Sequence, residues 1–504
     1  MSAQLWIHLA EGFALALQPE NLLFAAIGVF LGTVVGVLPG IGPAGAVAMV
    51  LPLVFKLNPV SSIIMLASLY SGAMYGGSTT SILLNVPGES SSVVTCLDGY
   101  QMAKQGRAGP ALCIAAIGSY IAGTLGVVGL MLFGPGLARL ALKFGPPEYF
   151  ALMLFGLSAV SSLASGSLIK GVMAMILGLI ISTVGMDTTG VLRFTFGRAD
   201  LFGGIELLSL SIGLFAISEI LVLIREHHTG AAKEILSHKL FLSFKDFLDS
   251  IGAILRGSVV GFLIGILPGA GAGIASFISY SLEIQISRQP EKFGKGEIRG
   301  VAAPESANNA ASVGALVTML TLGIPGSATT AIMLGALMSL DVQTGPLIFS
   351  AHPDVVYGLV AALYLGNIML VILNLPLVGI FVRLLRVPLK YLITFILMLS
   401  IIGVYSANQN VVDLVFMCAF GVLGYLMRRH GYPLAPVILG FVLGGRMEDA
   451  LRQSMIMSQG NPIILFSRPI SILFYILALF FILLPFILRY ITGKEAEEII
   501  DQEG

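Results

Sequence analysis

The chain has 504 residues, of which 56% are hydrophobic and only 11% charged, whereas soluble domains carry about 25% charged residues. Its mean hydropathy is +0.95, and apolar stretches long enough to cross a bilayer core of about 30 Å recur along it. Lysine plus arginine and aspartate plus glutamate both total 27, so the net charge does not indicate a nucleic-acid partner. The composition predicts an all-α polytopic membrane protein embedded in a lipid bilayer.

The first long apolar run, from Asn21 to Phe55, contains no charged side chain. Its middle reads GVLPGIGPAG, residues 36–45, with two prolines and four glycines. Proline removes a backbone donor and glycine permits unusual dihedral angles, so this stretch should end one helix and begin another. Because the segments 20–36 and 43–55 are both short for a complete crossing, we predict a re-entrant hairpin.

A second Pro-Gly break follows in STTSILLNVPGESSSVV, residues 78–94. It lies within an apolar segment at 61–98, which we predict to cross the membrane once as a discontinuous helix. Further crossings are then expected before a polar, basic linker. These crossings are predicted at 110–134, 148–164, 171–186 and 202–224.

Both breaks recur in the second half of the chain, in the same order. GFLIGILPGAGAG at 261–273 repeats GTVVGVLPGIGPAG at 32–45, and LVTMLTLGIPGSATTAI at 316–332 repeats the segment around Pro87. We therefore predict a second hairpin from 252–267 and 272–282, and a second discontinuous helix within 301–340. The expected organisation is one membrane repeat at 1–224, a cytoplasmic linker at 225–250 and another membrane repeat at 251–504.

Charge placement predicts the orientation of the two repeats. Residues 1–55 contain no lysine or arginine, whereas basic residues flank the second hairpin on both sides. Because lysine and arginine collect in cytoplasmic loops, the first hairpin should enter from outside and the second from the cytoplasm. The two repeats are thus predicted to have inverted topology, as in an elevator-type secondary transporter. The region 433–465, with Arg446 and Arg452, is hard to place in this scheme.

Broken helices leave backbone groups free at their new ends. Free N–H groups carry partial positive charge and can hold carboxylates, while free carbonyls can hold cations. Irregular backbone in a membrane persists only where protein or a wet cavity satisfies it. Repeated breaks in corresponding positions therefore predict a transport site rather than simple proline kinks.

Polar side chains around the breaks are the candidate site residues. Hydroxyl and amide groups can share an oxyanion, although a single serine or threonine more often bonds to its own helix. The expected substrate-binding residues are Ser78, Thr79, Thr80, Asn85, Gly88, Ser90, Ser91, Asn308, Gly326, Ser327, Thr329 and Thr330. The residues expected to bind the coupling ion, either Na⁺ or H⁺, are Gly40, Gly42, Glu89, Gly269, Gly271, Glu305 and Asn309.

Other patterns in the sequence argue against an enzyme. GIGPAG at 40–45 matches a nucleotide-binding fingerprint in its letters, but no strand precedes it and Lys56 stands where an acid would be expected. The six histidines lie near loops or helix ends, which leaves no histidine-activated serine in the apolar core. Cysteine spacing predicts neither a disulfide framework nor a zinc site. We expect no cofactor besides the coupling ion.

Five motifs together resemble a known transporter family. They are GVLPGIGP, YGGSTTSILLNVPGES, GILPGAGAG, AAPESANNAA and LGIPGSATT. They are similar to the large TctA-like membrane subunit of tripartite tricarboxylate transporters, and the similarity runs over almost the whole chain. The resemblance implies a protein of the bacterial inner membrane that works with a small TctB-like membrane subunit and a periplasmic TctC-like solute-binding protein.

The expected function is ion-gradient-driven uptake of a tricarboxylate such as citrate, or of a related organic anion. Substrates vary widely among similar proteins, so the sequence does not identify the anion. The alternative is a stand-alone channel or permease for small anions. An intramembrane enzyme is a third reading, which the histidine positions disfavour.

Overall fold

The structure is a computed structural model that describes residues 3–38, 41–163, 167–187, 189–225, 240–384 and 389–492. These residues form 20 α-helices and one small sheet. The helices of the first half are α1 Ala3–Ala16, α2 Pro19–Val37, α3 Gly42–Val54, α4 Pro59–Leu84, α5 Val93–Lys104, α6 Ala108–Ala141, α7 Pro146–Leu163, α8 Leu168–Ser182, α9 Leu207–Ser211 and α10 Ser218–Arg225.

The second half continues the helical pattern to the end of the described chain. Its helices are α11 Phe244–Ile266, α12 Gly271–Ile286, α13 Arg299–Leu322, α14 Ala328–Ser339, α15 Ile348–Ala351, α16 Pro353–Leu384, α17 Leu389–Asn408, α18 Val411–Arg429, α19 Ala435–Met457 and α20 Pro469–Thr492. The sheet pairs β1 Gly185–Met186 with β2 Leu192–Arg193 in antiparallel fashion. Short 3₁₀ turns lie at Ser90–Ser92, Ala199–Leu201, Pro290–Lys292 and Pro462–Phe466, and a π-helical stretch, Ile212–Ile217, joins α9 to α10.

Several helices in the described ranges have the length and apolar composition of membrane spans. Those that meet both conditions are Pro19–Val37, Ala108–Ala141, Leu207–Arg225, Phe244–Ile266, Pro353–Leu373 and Val411–Arg429. This confirms the prediction of an all-α polytopic membrane protein. The segment 433–465, which the sequence left unplaced, consists of α19 and the 3₁₀ turn Pro462–Phe466.

The first arm of the first hairpin was located to within one residue at each end, whereas the first arm of the second hairpin was predicted too short. α2 has 19 residues and α11 has 23, and both are long and apolar enough to cross a membrane, so the premise that they are too short to cross was wrong. α11 is longer than predicted because it begins in polar sequence before the apolar run. Ser243 caps α11 by accepting the N–H of Asp246 at 3.0 Å, and α2 begins at Pro19. Arm length therefore does not establish that either hairpin is re-entrant.

The chain divides into two compact units that cut across the halves of the sequence. Unit 1 contains residues 1–142 and 206–426, and unit 2 contains residues 143–205 and 427–504. The division at 1–224 and 251–504 concerns sequence correspondence and stays a prediction. α10 ends at Arg225 and α11 begins at Phe244, so the last seven residues of the predicted linker 225–250 are helical. Residues 226–239 lie outside the described ranges.

In unit 1, each hairpin packs closely against the discontinuous helix of its own half. The contact faces consist of glycines spaced by four residues, namely Gly28, Gly32 and Gly36 in α2, and Gly257, Gly261 and Gly265 in α11. A Cβ atom on Gly32 would lie 2.2 Å from the carbonyl oxygen of Leu69 in α4, and one on Gly261 would lie 2.2 Å from that of Ala307 in α13. Small residues at this spacing let helix backbones touch, as in membrane helix pairs.

Unit 2 is held together partly by ion pairs. Arg193 in β2 pairs with Glu448 in α19 at 2.9 Å, and Arg452 in the same helix pairs with Asp187 at 2.8 Å. Asp187 also accepts bonds from the Thr189 hydroxyl and the Val191 N–H. The Thr189 hydroxyl bond, then the Val191 N–H and the Arg452 charge, lower the pKa of Asp187 to about 2.

Candidate functional site at the two helix breaks

The first break separates α4 from α5. Asn85 ends α4 in the left-handed region, at φ 57° and ψ 32°, and Glu89 is extended at φ −153° and ψ 167°. The N–H of Glu89 donates to the hydroxyl of Ser92 at 3.3 Å, and this bond starts the turn that leads into α5. Asparagine is one of the few residues other than glycine that adopts the left-handed conformation readily.

The second break, between α13 and α14, has almost the same backbone. Gly323 ends α13 at φ 69° and ψ 24°, and Ser327 is extended at φ −154° and ψ 169°. The N–H of Ser327 donates to the hydroxyl of Thr330 at 2.9 Å, as Glu89 does to Ser92. The correspondence predicted from sequence is thus present in the backbone geometry of the two breaks.

The hairpin tips also match. Leu38 and Leu267 are both extended at the ends of α2 and α11, and Gly42 and Gly271 both have φ 63°. In the second half, the N–H of Gly269 donates to the carbonyl oxygen of Gly326 at 3.1 Å, which ties the tip to the break. Pro39 and Gly40, the latter a predicted ion-binding residue, lie outside the described residues.

Each break lies against the end of the first arm of its own hairpin. A Cβ on Gly88 would lie 2.4 Å from the carbonyl oxygen of Gly36 and 2.5 Å from the Cα of Gly77. A Cβ on Gly326 would lie 3.1 Å from the carbonyl oxygen of Gly265 in α11 and 2.8 Å from the Cβ of Ala315 in α13. Only glycine fits at Gly88 without a backbone shift, so this residue shapes the break through close packing.

The second arms of the hairpins reach the opposite half. α12 packs against the 3₁₀ turn of the first break, where a Cβ on Gly273 would lie 3.4 Å from the Ser90 hydroxyl. α3 packs against α14 of the second break. Both breaks and both hairpins therefore meet in one region of unit 1.

Side chains from the two halves bond to each other in this region. The Asn308 amide Nδ2 in α13 donates to Glu89 Oε1 at 3.2 Å. Two more oxygens of this pair of segments are buried. Within the described part of the chain, Asn308 Oδ1 has no hydrogen-bond partner, and Ser91 Oγ has none besides the Glu89 carboxylate. Glu89 itself is half-buried. A predicted ion-binding residue and two predicted substrate-binding residues thus lie together.

Glu305 forms a second, fully buried group nearby. Ser78 in α4 donates to Glu305 Oε2 at 2.5 Å, and Thr95 in α5 donates to Oε1. The carboxylate is 0% exposed. Because its partners stand on either side of the first break, Glu305 joins α13 to both arms of the discontinuous helix.

The remaining predicted site residues divide by burial and bonding. Thr80 and Thr330 donate to backbone carbonyls of their own segments, at Gly77 and Ser327. Asn309 donates to the Ser119 hydroxyl at 2.7 Å and to the Glu305 carbonyl. Thr79 and Thr329 are buried, Ser327 is half-buried, and Asn85 and Ser90 are exposed.

Sequence reasoning missed a buried carboxylate on α5. Asp98 is 0% exposed and accepts the Tyr280 hydroxyl at 2.8 Å. It also accepts the backbone N–H groups of Gly294, Gly296 and Glu297. Asp98 therefore fastens the loop before α13 to α5. The signal was available, since an acidic residue in an apolar segment is a functional or structural candidate by default.

Comparison with known proteins identifies the family. The model of the tripartite tricarboxylate transporter TctA family matches residues 22–439. The chain belongs to this TctA family. The match includes both helix breaks and both hairpins, which confirms the resemblance seen in the five motifs.

Two relatives of this TctA family member come from Agrobacterium vitis. One, described as an uncharacterized 52.8 kDa protein in the TAR-I ttuC' 3'region, is 46% identical over 465 residues, which are 92% of this chain and 93% of the relative. Another, an uncharacterized protein in the TAR-II ttuC' 3'region, is 43% identical over 211 residues, covering 42% of this chain and 87% of the relative. No solved structure matches the chain significantly.

Proposed function

We propose that the chain is the large membrane subunit of a binding-protein-dependent secondary transporter that takes up a tricarboxylate or related organic anion. The energy source in this proposal is a gradient of Na⁺ or H⁺. The required partners are a small TctB-like membrane subunit and a periplasmic TctC-like solute-binding protein, and the location is the bacterial inner membrane. Family membership supports the transport role, while the anion, ion and partners are our inference.

The observation that carries the proposal is the matched pair of breaks in unit 1. The first N–H groups of a helix have no partner within the helix, and they carry partial positive charge. The 3₁₀ turn that begins at Ser90 and the helix α14 that begins at Ala328 bring such groups from both halves. The N–H of Thr330 among them already donates to Ser327 Oγ at 3.2 Å. Hydroxyls of Ser90, Ser327 and Thr329 stand beside them. This chemistry suits a carboxylate without requiring a buried arginine.

A transport assay with defined components tests this function. The chain is reconstituted into liposomes with and without the small subunit, and loaded binding protein is added outside with radiolabelled citrate as the first test anion. We expect accumulation only with all three proteins and an ion gradient, and loss of accumulation when an ionophore collapses that gradient. Accumulation by the chain alone would establish a stand-alone permease instead.

We also propose that the two repeats have inverted topology and move as an elevator. The matched backbone supports the repeat, and charge placement supports the inversion. Single cysteines at exposed Gln18 and Lys245 test it in a background without Cys96, Cys113 and Cys418. An impermeant thiol reagent added outside intact cells should label Gln18→Cys and spare Lys245→Cys. The reverse pattern would refute the proposed orientation.

A further inference from the structure

We infer that Glu89, Ser91 and Asn308 form a binding site for Na⁺, and that Na⁺ at this site permits the organic anion to bind at the adjacent breaks. This inference rests on the proposed function and assigns its coupling ion and ligands. It starts from a contrast between the half-buried carboxylate of Glu89 and the fully buried carboxylate of Glu305.

Both oxygens of the Glu305 carboxylate already have a donor from the protein. The Ser78 hydroxyl donates a hydrogen bond to Oε2, and the Thr95 hydroxyl donates one to Oε1. Hydrogen bonds to a charged group stabilise that charge in a poorly solvated place. Glu305 is therefore a positioning residue that fixes α4 and α5 relative to α13.

The surroundings of Glu89 are different. Asn308 Nδ2 donates to Glu89 Oε1 at 3.2 Å, and the Ser91 hydroxyl lies beside the same carboxylate. Asn308 is 0% exposed and Ser91 is 2% exposed. Among the described residues, Asn308 Oδ1 has no hydrogen-bond partner, and Ser91 Oγ has none besides the Glu89 carboxylate. A buried polar atom that lacks a hydrogen-bond partner costs free energy, so a ligand that contacts these two oxygens would stabilise the protein.

The three oxygens have the chemistry of a site for a hard cation. A carboxylate, an amide carbonyl and a hydroxyl are oxygen ligands of the kind that hard cations take. The C-terminal end of α4, with its partial negative charge, lies within five residues of Glu89. Three arginines of unit 1, Arg107, Arg256 and Arg299, pair with carboxylates other than Glu89.

A charge at Glu89 also explains how cation and anion would be coupled. Ser90 and Gly88 flank Glu89, so an anion held at the N–H groups of this turn would approach the carboxylate. Like charges repel strongly where water screens them poorly. A cation on Glu89 removes this repulsion, and by linkage the anion raises the affinity for the cation by the same factor.

Binding of ²²Na⁺ to the purified full chain in lipid nanodiscs tests the site without anion or partner proteins. We expect saturable binding, with an affinity at least tenfold lower in Glu89→Gln and also lower in Ser91→Ala. Exposed Glu20→Gln is the control, because it removes a carboxylate that lies outside both breaks and should keep Na⁺ affinity. Glu305→Gln tests the rival assignment, in which the fully buried carboxylate holds the ion.

Two results would overturn the inference: no saturable Na⁺ binding to the natural chain, or loss of binding in Glu305→Gln with retention in Glu89→Gln. Equal thermal unfolding of the variants ensures that lost binding is not lost folding. Uptake by the three-component system then separates the two proposals. If a proton gradient drives uptake and the chain does not bind Na⁺, only the inference about Na⁺ is refuted. If the chain binds Na⁺ but the complete system takes up no anion, the proposed function is refuted.

Discussion

The first and second breaks of unit 1 share a backbone but differ in the side chains attached to it. Asn85 corresponds to Gly323 in the left-handed position, and Glu89 corresponds to Ser327 in the extended position. On the facing helices, Asn308 reaches Glu89, while Tyr70 lies beside Ser327 at the corresponding place. Only the first break carries a carboxylate.

This difference distinguishes two roles of the break motif, anion binding and cation binding. The duplicated backbone supplies free N–H groups from both halves, which suits one anion shared between them. The single carboxylate makes the shared region asymmetric, which suits one cation beside that anion. Substitutions at corresponding positions of the two breaks therefore test whether each position contributes to anion binding or to cation binding.

The largest expected effect is at the packed glycines. Gly88→Ala puts a methyl group against the backbone of both Gly36 and Gly77, and overpacking of this kind costs about 3 kcal/mol of unfolding free energy. Gly326→Ala meets Ala315 Cβ at a longer 2.8 Å and should cost less. Thermal unfolding in detergent measures the stability of both variants, and uptake assays measure their transport.

Gly136→Ala in α6 is the control for the glycine changes, because nothing lies within 4 Å of its added Cβ. It should unfold and transport like the natural chain. If Gly88→Ala behaves like Gly136→Ala, the close packing of the first break is not needed for its shape.

Exchange of the two side chains at the extended positions gives the next largest effect. In the double variant Glu89→Ser with Ser327→Glu, the carboxylate moves to the break that faces Tyr70 rather than Asn308. Because the amide and the Ser91 hydroxyl stay behind, we expect uptake and Na⁺ affinity to remain at least tenfold below those of the natural chain. Recovery of both would mean that the breaks are chemically equivalent.

A smaller effect is expected at Asn85. Asn85→Gly keeps the left-handed backbone, as Gly323 does in the other break, but removes an exposed amide that we predict to face the anion. Loss of one hydrogen bond to a charged group, about 1.5 kcal/mol, corresponds to roughly tenfold weaker apparent affinity. Uptake kinetics at matched membrane expression measure this change.

Asn85→Ala distinguishes the contribution of the amide side chain from that of the left-handed backbone. It should show the same loss of affinity together with lower thermal stability, since a non-glycine residue in the left-handed region costs about 1 kcal/mol or more. If Asn85→Gly binds the anion as tightly as the natural chain does, Asn85 serves only to end α4.

The smallest effect on uptake is expected outside unit 1, at Asp187 of unit 2. Its folded pKa of about 2 lies below the unfolded value of about 3.9. The ionised group therefore stabilises the fold above about pH 4, and this stabilisation is lost as the pH falls towards 2. Asp187→Asn should lower thermal stability near neutral pH, and the difference from the natural chain should vanish near pH 2.

Asp200→Asn, which removes a solvent-exposed ion pair with Arg198, is the control for Asp187→Asn and should show little pH-dependent change. Both variants should bind the anion with the same apparent affinity as the natural chain. A large loss of affinity in Asp187→Asn would extend the functional region beyond the two breaks.

Much of the fold could be predicted because membrane helices leave strong local signals. Apolar runs located the helices, and Pro-Gly pairs located the interruptions near Pro87 and Pro325. α2 was located to within one residue at each end, whereas α11 was predicted too short, because its cap at Ser243 lies in polar sequence that hydropathy does not register. The inversion of the repeats is predicted from the placement of lysine and arginine, and it stays a prediction.

The sequence by itself determined the family, the positions of both breaks and the duplication of their motifs, since each follows from short contiguous patterns. Only the tertiary structure decided which polar side chains meet. Asn308 bonds to Glu89 across 219 positions of sequence, and Ser78 bonds to Glu305 across 227. Such pairs depend on how α13 packs against α4 and α5. Local sequence patterns carry no record of that packing, because the same polar residue can bond to its own helix, as Thr80 does, or to a distant one.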